Sequence, residues 1–467
     1  APASAALVFP TPWAIMRVAA GLYRGGTSRG LIFSASDLVM YSQRAREYII
    51  CSAMGSPDPD QRQIDGVGGG VSSLSKAAVV SVPSRDRHMV RLSKMGEEWA
   101  FPGVPWADDV ARACDAETGY DAVYRFGQVP VSGGTGIDWS ATCGNMMSAV
   151  AIHTYMKYWR HFRPFLLHVD PGASFTKLPM RILMANSGER VTVHVPLEKR
   201  GENAWFLSSK ADTHIAGVPG LAPGILVETP LPSSPWPTGR PLDPLRLGDQ
   251  DIRVSIVQAG LPTVFVHAAD LGVSSDQIVQ PAHALDTDTQ LHERIEALRY
   301  QAAQCAPDLQ RQWSMSAPKV CLVHPRTAYT TSGGTHVPAN AMDILVRAVS
   351  VGNFHRSIMA TALSALAVAS TCPDTVVYEG YAAGGSMPCA SSKDRASSLL
   401  HAFTVGQPAG TARSMVRMSK EDPTRTPTAV VMERTARRIM HGFVDVPPHE
   451  LLRSKGTYFG LPSNRKH

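Results

Sequence analysis

Asp138-Trp139-Ser140-Ala141-Thr142-Cys143-Gly144-Asn145-Met146-Met147-Ser148-Ala149-Val150-Ala151-Ile152 is the segment on which the fold prediction depends. A thiol precedes a Gly-Asn pair, and the small and apolar residues that follow predict a buried helix. A helix start presents unpaired N–H groups and a partial positive charge, which favour bound anions and a reactive thiolate. Taken alone, Cys-Gly-Asn more often marks a buried structural cysteine before a core helix.

The composition indicates a folded protein. The chain has 467 residues, of which 44% are hydrophobic and 18% charged, so two domains are expected. The net charge of +6 suits an anionic small molecule. Basic residues are dispersed and the Arg-Gly-Gly triplet at Arg24 is not repeated, so no nucleic-acid partner is expected.

Neither a membrane partner nor export is predicted. No apolar run approaches the roughly 20 residues that a membrane span needs. The first sixteen residues contain neither Arg nor Lys, whereas a secretory signal or a transit peptide carries basic residues. Seven cysteines without a CxxC pair indicate free thiols in a reducing compartment, so a cytoplasmic location is expected. The oligomeric state is left open, a homo-oligomer included.

A glycine-containing turn between two predicted strands has the sequence Arg24-Gly25-Gly26-Thr27-Ser28-Arg29-Gly30. Glycines let backbone approach a ligand closely, and Thr27 and Ser28 offer hydroxyl and N–H groups that suit a carboxylate. A simple hairpin turn is the alternative.

A second glycine-rich segment runs from Gly66 to Lys76. It does not fit GxGxxG, because residue 71 is valine, and no GK[ST] follows, so dinucleotide and P-loop sites are excluded. The segment delivers Ser75 and Lys76 to a predicted strand at 77–82. A lysine between apolar neighbours can act as a base, whereas a solvent-facing lysine is the alternative.

The order of these motifs resembles the PrpF-like family of aconitate-type isomerases and tautomerases. Besides the two glycine segments and Cys-Gly-Asn, the resemblance rests on Ala185-Asn186-Ser187-Gly188, Ala216-Gly217-Val218-Pro219-Gly220, Ala259-Gly260-Leu261-Pro262, Gly352-Asn353-Phe354-His355 and Thr435-Ala436-Arg437-Arg438. It covers about residues 16–447. Two departures are an expected insertion at 84–120 and Gln407-Pro408-Ala409-Gly410 in place of a His-Pro-Ser-Gly type turn.

The resemblance implies an α+β fold like that of diaminopimelate epimerase. Two pseudo-symmetric domains are expected, each a curved antiparallel sheet or barrel around a central helix. The first would span 1–180, with 441–467 returning to it, and the second 181–440. Within the second, residues 221–248 are predicted to form a surface loop and 340–350 a helix.

The second half repeats the pattern of the first without its thiol. Residues 351–361 form a polar approach to the small, apolar run 362–370, and no cysteine stands at that helix start. Two-thiol racemisation is therefore not expected. Two helix starts facing one cleft would suit a polycarboxylate.

The implied reaction moves an allylic proton of an unsaturated tricarboxylate without metal or cofactor. Lys76 and Cys143 match the family's catalytic positions, and their order of action is left open. The expected substrate-binding residues are Arg24, Thr27, Ser28, Ser75, Gly144, Asn145, Ser332 and His355. Conversion of cis- to trans-aconitate is preferred. 2-Methylaconitate isomerisation, 4-oxalomesaconate tautomerisation and non-catalytic tricarboxylate binding are the alternatives.

Overall fold

The computed structural model describes residues 16–39, 41–83, 119–131, 136–139, 142–201, 204–215, 217–314, 317–350, 352–385, 399–421 and 426–447. Nearly all of the predicted insertion at 84–120 lies outside these ranges. The chain divides into two compact units. The first contains residues up to Ala211, Ala222–Ile225 and the chain from Arg434, and the second contains Asp212–Leu221 and Leu226–Glu433.

Strands account for most of the regular structure. They are β1 (Met16–Gly25), β2 (Ser28–Ser34), β3 (Lys76–Ser81), β4 (Ala122–Gln128), β5 (Phe175–Met184), β6 (Arg190–Arg200), β7 (Ala204–Leu207), β8 (Ile225–Pro230), β9 (Asp243–Leu247), β10 (Gln250–Gln258), β11 (Pro262–His267), β12 (Lys319–Pro325), β13 (Tyr329–Thr330), β14 (His336–Val337), β15 (Ile344–Ser350), β16 (Asn353–Phe354), β17 (Leu400–Gln407), β18 (Gly410–Met418), β19 (Pro427–Arg434) and β20 (Ala436–Val446).

Within the described ranges, the helices are fewer than the strands and mostly short. They are α1 (Ala35–Leu38), α2 (Gln43–Met54), α3 (Gly144–Tyr158), α4 (Arg163–Leu167), α5 (Ser275–Ile278), α6 (Ala282–Leu285), α7 (Thr289–Gln304), α8 (Pro307–Arg311), α9 (Ala360–Ala369) and α10 (Val376–Ala383). None of the helices in the described parts of the chain is long and apolar enough to span a membrane.

In the first unit, one mixed sheet has the order β20-β1-β2-β3-β4-β5-β6-β7. The β2–β3 and β4–β5 pairs are parallel and the others antiparallel. Helix α3 contacts β1, β2, β3, β6 and β20. Every residue from Met146 to Tyr155 is buried: most of the side chains are small or apolar, and the hydroxyls of Ser148 and Thr154 donate to backbone carbonyls of the helix itself.

The opposite face of this sheet packs against α2. Ile49, Ile50 and Met54 form a cluster with Leu31 and Phe33 of β2. The two sides of β2 therefore face different helices, as strand alternation requires. Leu31 and Phe33 point toward α2, whereas the alternate positions that begin at Ser28 point toward α3.

The second unit repeats this arrangement with different residues. Its β10–β11 hairpin is followed by a parallel β11–β12 pair, an antiparallel β12–β15 pair, a parallel β15–β17 pair and an antiparallel β17–β18 pair. This is the pairing pattern of β1 to β6. Helix α9 takes the place of α3: its residues 362–369 are all buried, and it contacts β10, β11 and β18.

Three details differ from the sequence predictions. Both sheets are mixed rather than antiparallel, because long crossover segments join parallel neighbours. The predicted helix at 340–350 is wrong: a short turn at Ala339–Ala341 precedes strand β15. Its apolar run is covered on both sides, and such a run does not distinguish a buried strand from a helix. The predicted loop at 221–248 contains β8 and β9, with prolines near the strand ends.

The units also differ from the predicted domain limits. The expected boundary between 180 and 181 falls inside β5, which is hydrogen-bonded to β6 from residue 175 to residue 183. The division by contacts lies near residue 211 instead. At the other end, β20 pairs with β1 along its whole length, so the chain joins the first unit from Arg434 onward.

Candidate functional site

A buried thiol lies at the start of α3. Cys143 occupies the N-cap position with extended backbone angles (φ −135°, ψ 101°), and its side chain makes no capping hydrogen bond. Its sulfur lies 3.8 Å from Oγ of Ser28, which is also buried. The first-turn amides and the helix dipole thus surround the sulfur with partial positive charge. A side chain at Gly144 would meet no atom within 4 Å, so there is space beside the helix start.

Asn145 joins the helix start to the turn between β1 and β2. Its Nδ2 donates to Oγ1 of Thr27 at 3.1 Å. Gly26 lies against the same amide: a Cβ there would lie 2.5 Å from Oδ1 of Asn145, and its φ of +53° also favours glycine. The turn predicted to bind a carboxylate is therefore held against the first turn of α3.

Arg434 supplies a buried positive charge that the sequence reading did not assign to the site. Its Nε donates to Oδ1 of Asn145 at 3.0 Å, and the residue is 8% exposed. Burial lowers the pKa of Arg434 to about 10, and the charge of Cys143 opposes that change. The only sequence signal was its position beside the Thr-Ala-Arg-Arg motif, which begins at Thr435.

Lys76 begins strand β3 next to Gly30 of β2. The parallel pairing makes these two residues register partners, and a side chain at Gly30 would collide with the Lys76 carbonyl. The Lys76 amine donates to Oε1 of Gln128 at 2.7 Å and lies 5.1 Å from the centre of the Phe126 ring. The lysine is half-buried and bound to protein atoms, so it is not a freely solvated surface lysine.

Lys76 and Cys143 lie on the same side of the sheet. Residues in register on neighbouring strands point to the same face, so Lys76 shares the face of Gly30 and, by alternation, of Ser28. Ser28 contacts Cys143 on that face. Two residues of strand span about 7 Å and neighbouring strands lie about 4.8 Å apart, so the backbones of Lys76 and Ser28 lie about 8–9 Å apart on this face.

Tyr124 is a further buried group on this face. It belongs to β4, four residues before Gln128, and is 1% exposed. Among the described residues its hydroxyl has no hydrogen-bond partner. Burial raises the pKa of Tyr124 well above its ordinary value, and the charge of Cys143 acts in the same direction. The phenol therefore stays protonated and is available as a donor.

Two of the predicted binding residues hold other parts of the protein. Nη1 of Arg24 lies 3.0 Å from the carbonyl oxygens of Gly26 and Thr435 and from Oγ1 of Thr435, which fixes the turn to the residue between β19 and β20. Ser75 is fully buried, and its single hydroxyl hydrogen has two acceptors within hydrogen-bond distance, Oε1 of Gln63 and the carbonyl oxygen of Val71. These contacts shape the two glycine segments around the site.

Ser332 and His355 belong to the second unit. Ser332 is exposed, and its N–H donates to the carbonyl of Pro408 at 2.8 Å, in the turn that departs from the family pattern. Burial lowers the pKa of His355, the charge of Lys319 lowers it further and that of Asp286 opposes the change. Lys319 is buried and begins β12, as Lys76 begins β3. The correspondence between Lys319 and Lys76 follows from the matching strand order of the two units and not from a shared sequence motif.

Two other features lie outside this group. A cavity of about 320 Å³ is lined by Val82 and residues 157–161 at the opposite end of α3, about 22 Å from Cys143 for a fifteen-residue helix. Within the described ranges, no three His, Cys, Asp or Glu side chains are grouped as metal ligands. The five cysteines placed there are all free thiols.

Comparison with known proteins agrees with the motifs. The PrpF protein family matches residues 15–93 and 110–447. The unmatched stretch between them falls inside the predicted insertion. The 2-methyl-aconitate isomerase of Shewanella oneidensis is 29% identical over 449 residues, which cover 92% of this chain and 97% of that protein. The 4-oxalomesaconate tautomerase of Pseudomonas putida is 30% identical over 69% of this chain and 74% of its own length.

A solved structure shows the same fold. The crystal structure of methylitaconate-delta-isomerase superposes with a TM-score of 0.69 at 24% identity, covering 96% of this chain and 99% of that one. The predicted α+β fold of the epimerase type is thereby confirmed. Together, the family match, the curated relatives and the fold establish that the chain belongs to the PrpF family and is an isomerase.

Proposed function

We propose that this protein interconverts cis- and trans-aconitate by allylic proton transfer, with Lys76 and Cys143 as the acid–base pair. The observation that carries the proposal is the common position of the two residues. Cys143 occupies the N-cap position of α3, Lys76 is the first residue of β3 and the register partner of Gly30, and both lie on the same face of the sheet. Relatives named for methylaconitate, methylitaconate and oxalomesaconate support a substrate of this class.

The reaction needs two proton transfers. One member of the pair removes a proton from the methylene carbon, and the C–H electrons spread over the allylic system and the adjacent carboxylate. The other member returns a proton to the former alkene carbon, which moves the double bond. Because both end carbons of aconitate carry a carboxylate, this shift regenerates the same skeleton with a new double bond that can have either geometry.

The surroundings of the pair suit the charge that develops. The first turn of α3 and the amide of Asn145 offer donors to a carboxylate, and Ser28 and Thr27 add hydroxyls. The buried guanidinium of Arg434 adds a fixed positive charge nearby. Preorganised donors in a site with little water stabilise such an anion without having to reorient.

The test is incubation with cis-aconitate in D₂O, followed by NMR. We expect trans-aconitate to form with deuterium on its methylene carbon. Cys143→Ala and Lys76→Ala should each lower the rate by about 10²–10⁴-fold, with Cys305→Ala and Lys177→Ala as matched controls at exposed positions. Full activity in either site variant would remove the proposed pair.

A substrate panel separates the alternatives. The similarity to 2-methyl-aconitate isomerase favours 2-methylaconitate as the second candidate. One methyl group changes the discrimination by only about 1–3 kcal/mol, so relative kcat/KM values must be measured for aconitate, 2-methylaconitate and 4-oxalomesaconate. Thermal stabilisation by these acids without deuterium uptake would indicate a binding protein instead.

A further inference from the structure

The partner of the Lys76 amine is neutral. Lys76 and Gln128 are register partners on the antiparallel strands β3 and β4, so their side chains emerge side by side. The amine donates to Oε1 of Gln128 at 2.7 Å. Phe126, two residues before Gln128, lies beneath the same amine.

The amide of Gln128 has one orientation open to it. Its Nε2 lies 2.9 Å from the carbonyl oxygen of Ser75, 3.1 Å from that of Ser72 and 3.3 Å from that of Val129. Carbonyl oxygens accept hydrogen bonds only, so the NH₂ group must face them and the amide oxygen must face Lys76. The carbonyls of Ser72 and Ser75 in the glycine-rich segment thus fix the orientation of the Gln128 amide, and the amide oxygen fixes the position of the Lys76 amine.

A neutral acceptor has a specific advantage for a group that gains and loses a proton. An amide oxygen accepts a hydrogen bond from an ammonium ion and from a free amine alike. A carboxylate at the same place would favour the ammonium form and oppose its deprotonation. An apolar side chain would leave the flexible lysine without a fixed direction.

We propose that Gln128 is a positioning residue that holds the Lys76 amine toward the substrate in both of its protonation states. This inference rests on the proposed function, because it gives Lys76 the task of exchanging a proton. The glutamine acts through Lys76 and is not itself assigned a contact with substrate.

Two variants test it. Gln128→Met removes the amide without adding charge, and Gln128→Glu adds charge at nearly the same size. With Gln128→Met we expect kcat to fall on the order of 100-fold, the cost of a misplaced reacting group, while KM changes less than threefold. With Gln128→Glu we expect the limb of the kcat/KM pH profile that reports Lys76 to move to higher pH, because a carboxylate favours the ammonium form. Gln250→Glu, at an exposed position, is the control for added charge.

A second measurement does not depend on turnover. Acetic anhydride acylates neutral amines, and peptide mass spectrometry can follow Lys76 against exposed Lys177 in the same sample. We expect the pH curve of Lys76 acylation to move to higher pH in Gln128→Glu and to remain unmoved in Gln250→Glu. That result supports the positioning role even if no tricarboxylate in the panel turns over, in which case the proposed function alone fails.

Other outcomes overturn the inference. Unchanged kcat in Gln128→Met together with an unchanged Lys76 acylation curve in Gln128→Glu would show that the amide does not govern the amine. A loss of thermal stability in both variants, with wild-type acylation of Lys76 and wild-type activity in the remaining folded protein, would show a purely structural role.

Discussion

The sulfur of Cys143 lies 3.8 Å from the hydroxyl oxygen of Ser28, although 115 positions separate the two residues in the chain. Cys143 immediately precedes the central helix α3, and Ser28 begins strand β2 after the glycine-containing turn. Both residues are buried. The hydroxyl is thus well placed to donate to a thiolate or to a carboxylate bound beside it.

Ser28→Ala should therefore weaken catalysis without unfolding the protein. Loss of a hydrogen bond to a charged group costs about 1.5–3 kcal/mol, so kcat/KM for aconitate should fall about tenfold to a hundredfold. Steady-state kinetics measure this, and alkylation of Cys143 by iodoacetamide at constant pH should slow in parallel. Ser187→Ala, in an exposed turn, is the control. Wild-type rates in both assays would show that the Ser28 hydroxyl contributes neither to catalysis nor to the reactivity of Cys143.

Arg434→Gln should lower the affinity for the substrate. The variant removes a buried positive charge and the donor to Asn145 Oδ1. We expect the Kd of trans-aconitate, measured by titration calorimetry, to rise at least tenfold, because charged hydrogen bonds contribute about 1.5–3 kcal/mol. Arg434→Lys keeps the charge but not the planar donor and should recover part of the loss. Equal affinities in all three proteins would contradict a role in anion binding.

Gly26→Ala and Gly188→Ala form a matched pair. Both glycines have positive φ (+53° and +74°), but a Cβ at Gly26 would lie 2.5 Å from Asn145 Oδ1, whereas a Cβ at Gly188 would meet nothing within 4 Å. Gly188→Ala should lower the unfolding free energy by about 1–2 kcal/mol, the cost of a left-handed alanine. Urea titrations should show a larger loss for Gly26→Ala, together with lost activity. Equal losses would mean that Asn145 moves away freely.

His153 should make stability depend on pH. Burial lowers its pKa from 6.5 to about 3, with smaller contributions from the charges of Lys157, His441 and Arg438, and its Nδ1 lies 3.2 Å from the Tyr23 hydroxyl. The folded state keeps this imidazole neutral while the unfolded chain protonates it, so stability present above pH 6.5 is lost as the pH falls toward 3. Between pH 7 and pH 5 the loss should be about 2 kcal/mol.

Urea unfolding of wild type and His153→Gln at the two pH values checks this. The other histidines are common to both proteins, so the difference between their pH dependences isolates His153. Between pH 7 and pH 5, we expect the unfolding free energy of His153→Gln to fall by about 2 kcal/mol less than that of the wild type. Parallel pH dependences in the two proteins would show that the buried imidazole is protonated in the folded state or does not titrate.

Several positions of the candidate site could be predicted from the sequence alone. Cys143, Gly144 and Asn145 start a segment with no polar face, so a helix start at a buried position followed from local pattern alone. Lys76 was recognisable from the glycine segment before it and the apolar strand after it. In contrast, the apolar run at Ile344–Ser350 was misassigned, because burial on both sides removes the periodicity that separates strand from helix.

The sequence by itself determined the elements that depend on neighbours in the chain: the central helices, the glycine turns, the motif order and hence the family. Only the tertiary structure decided that Gln128 holds Lys76, that Arg434 holds Asn145 and that Ser28 faces Cys143. The reason is physical. Strand register and helix-to-sheet packing bring together residues far apart in the chain, such as Asn145 and Arg434, which are 289 positions apart, and no local pattern specifies which strands become neighbours.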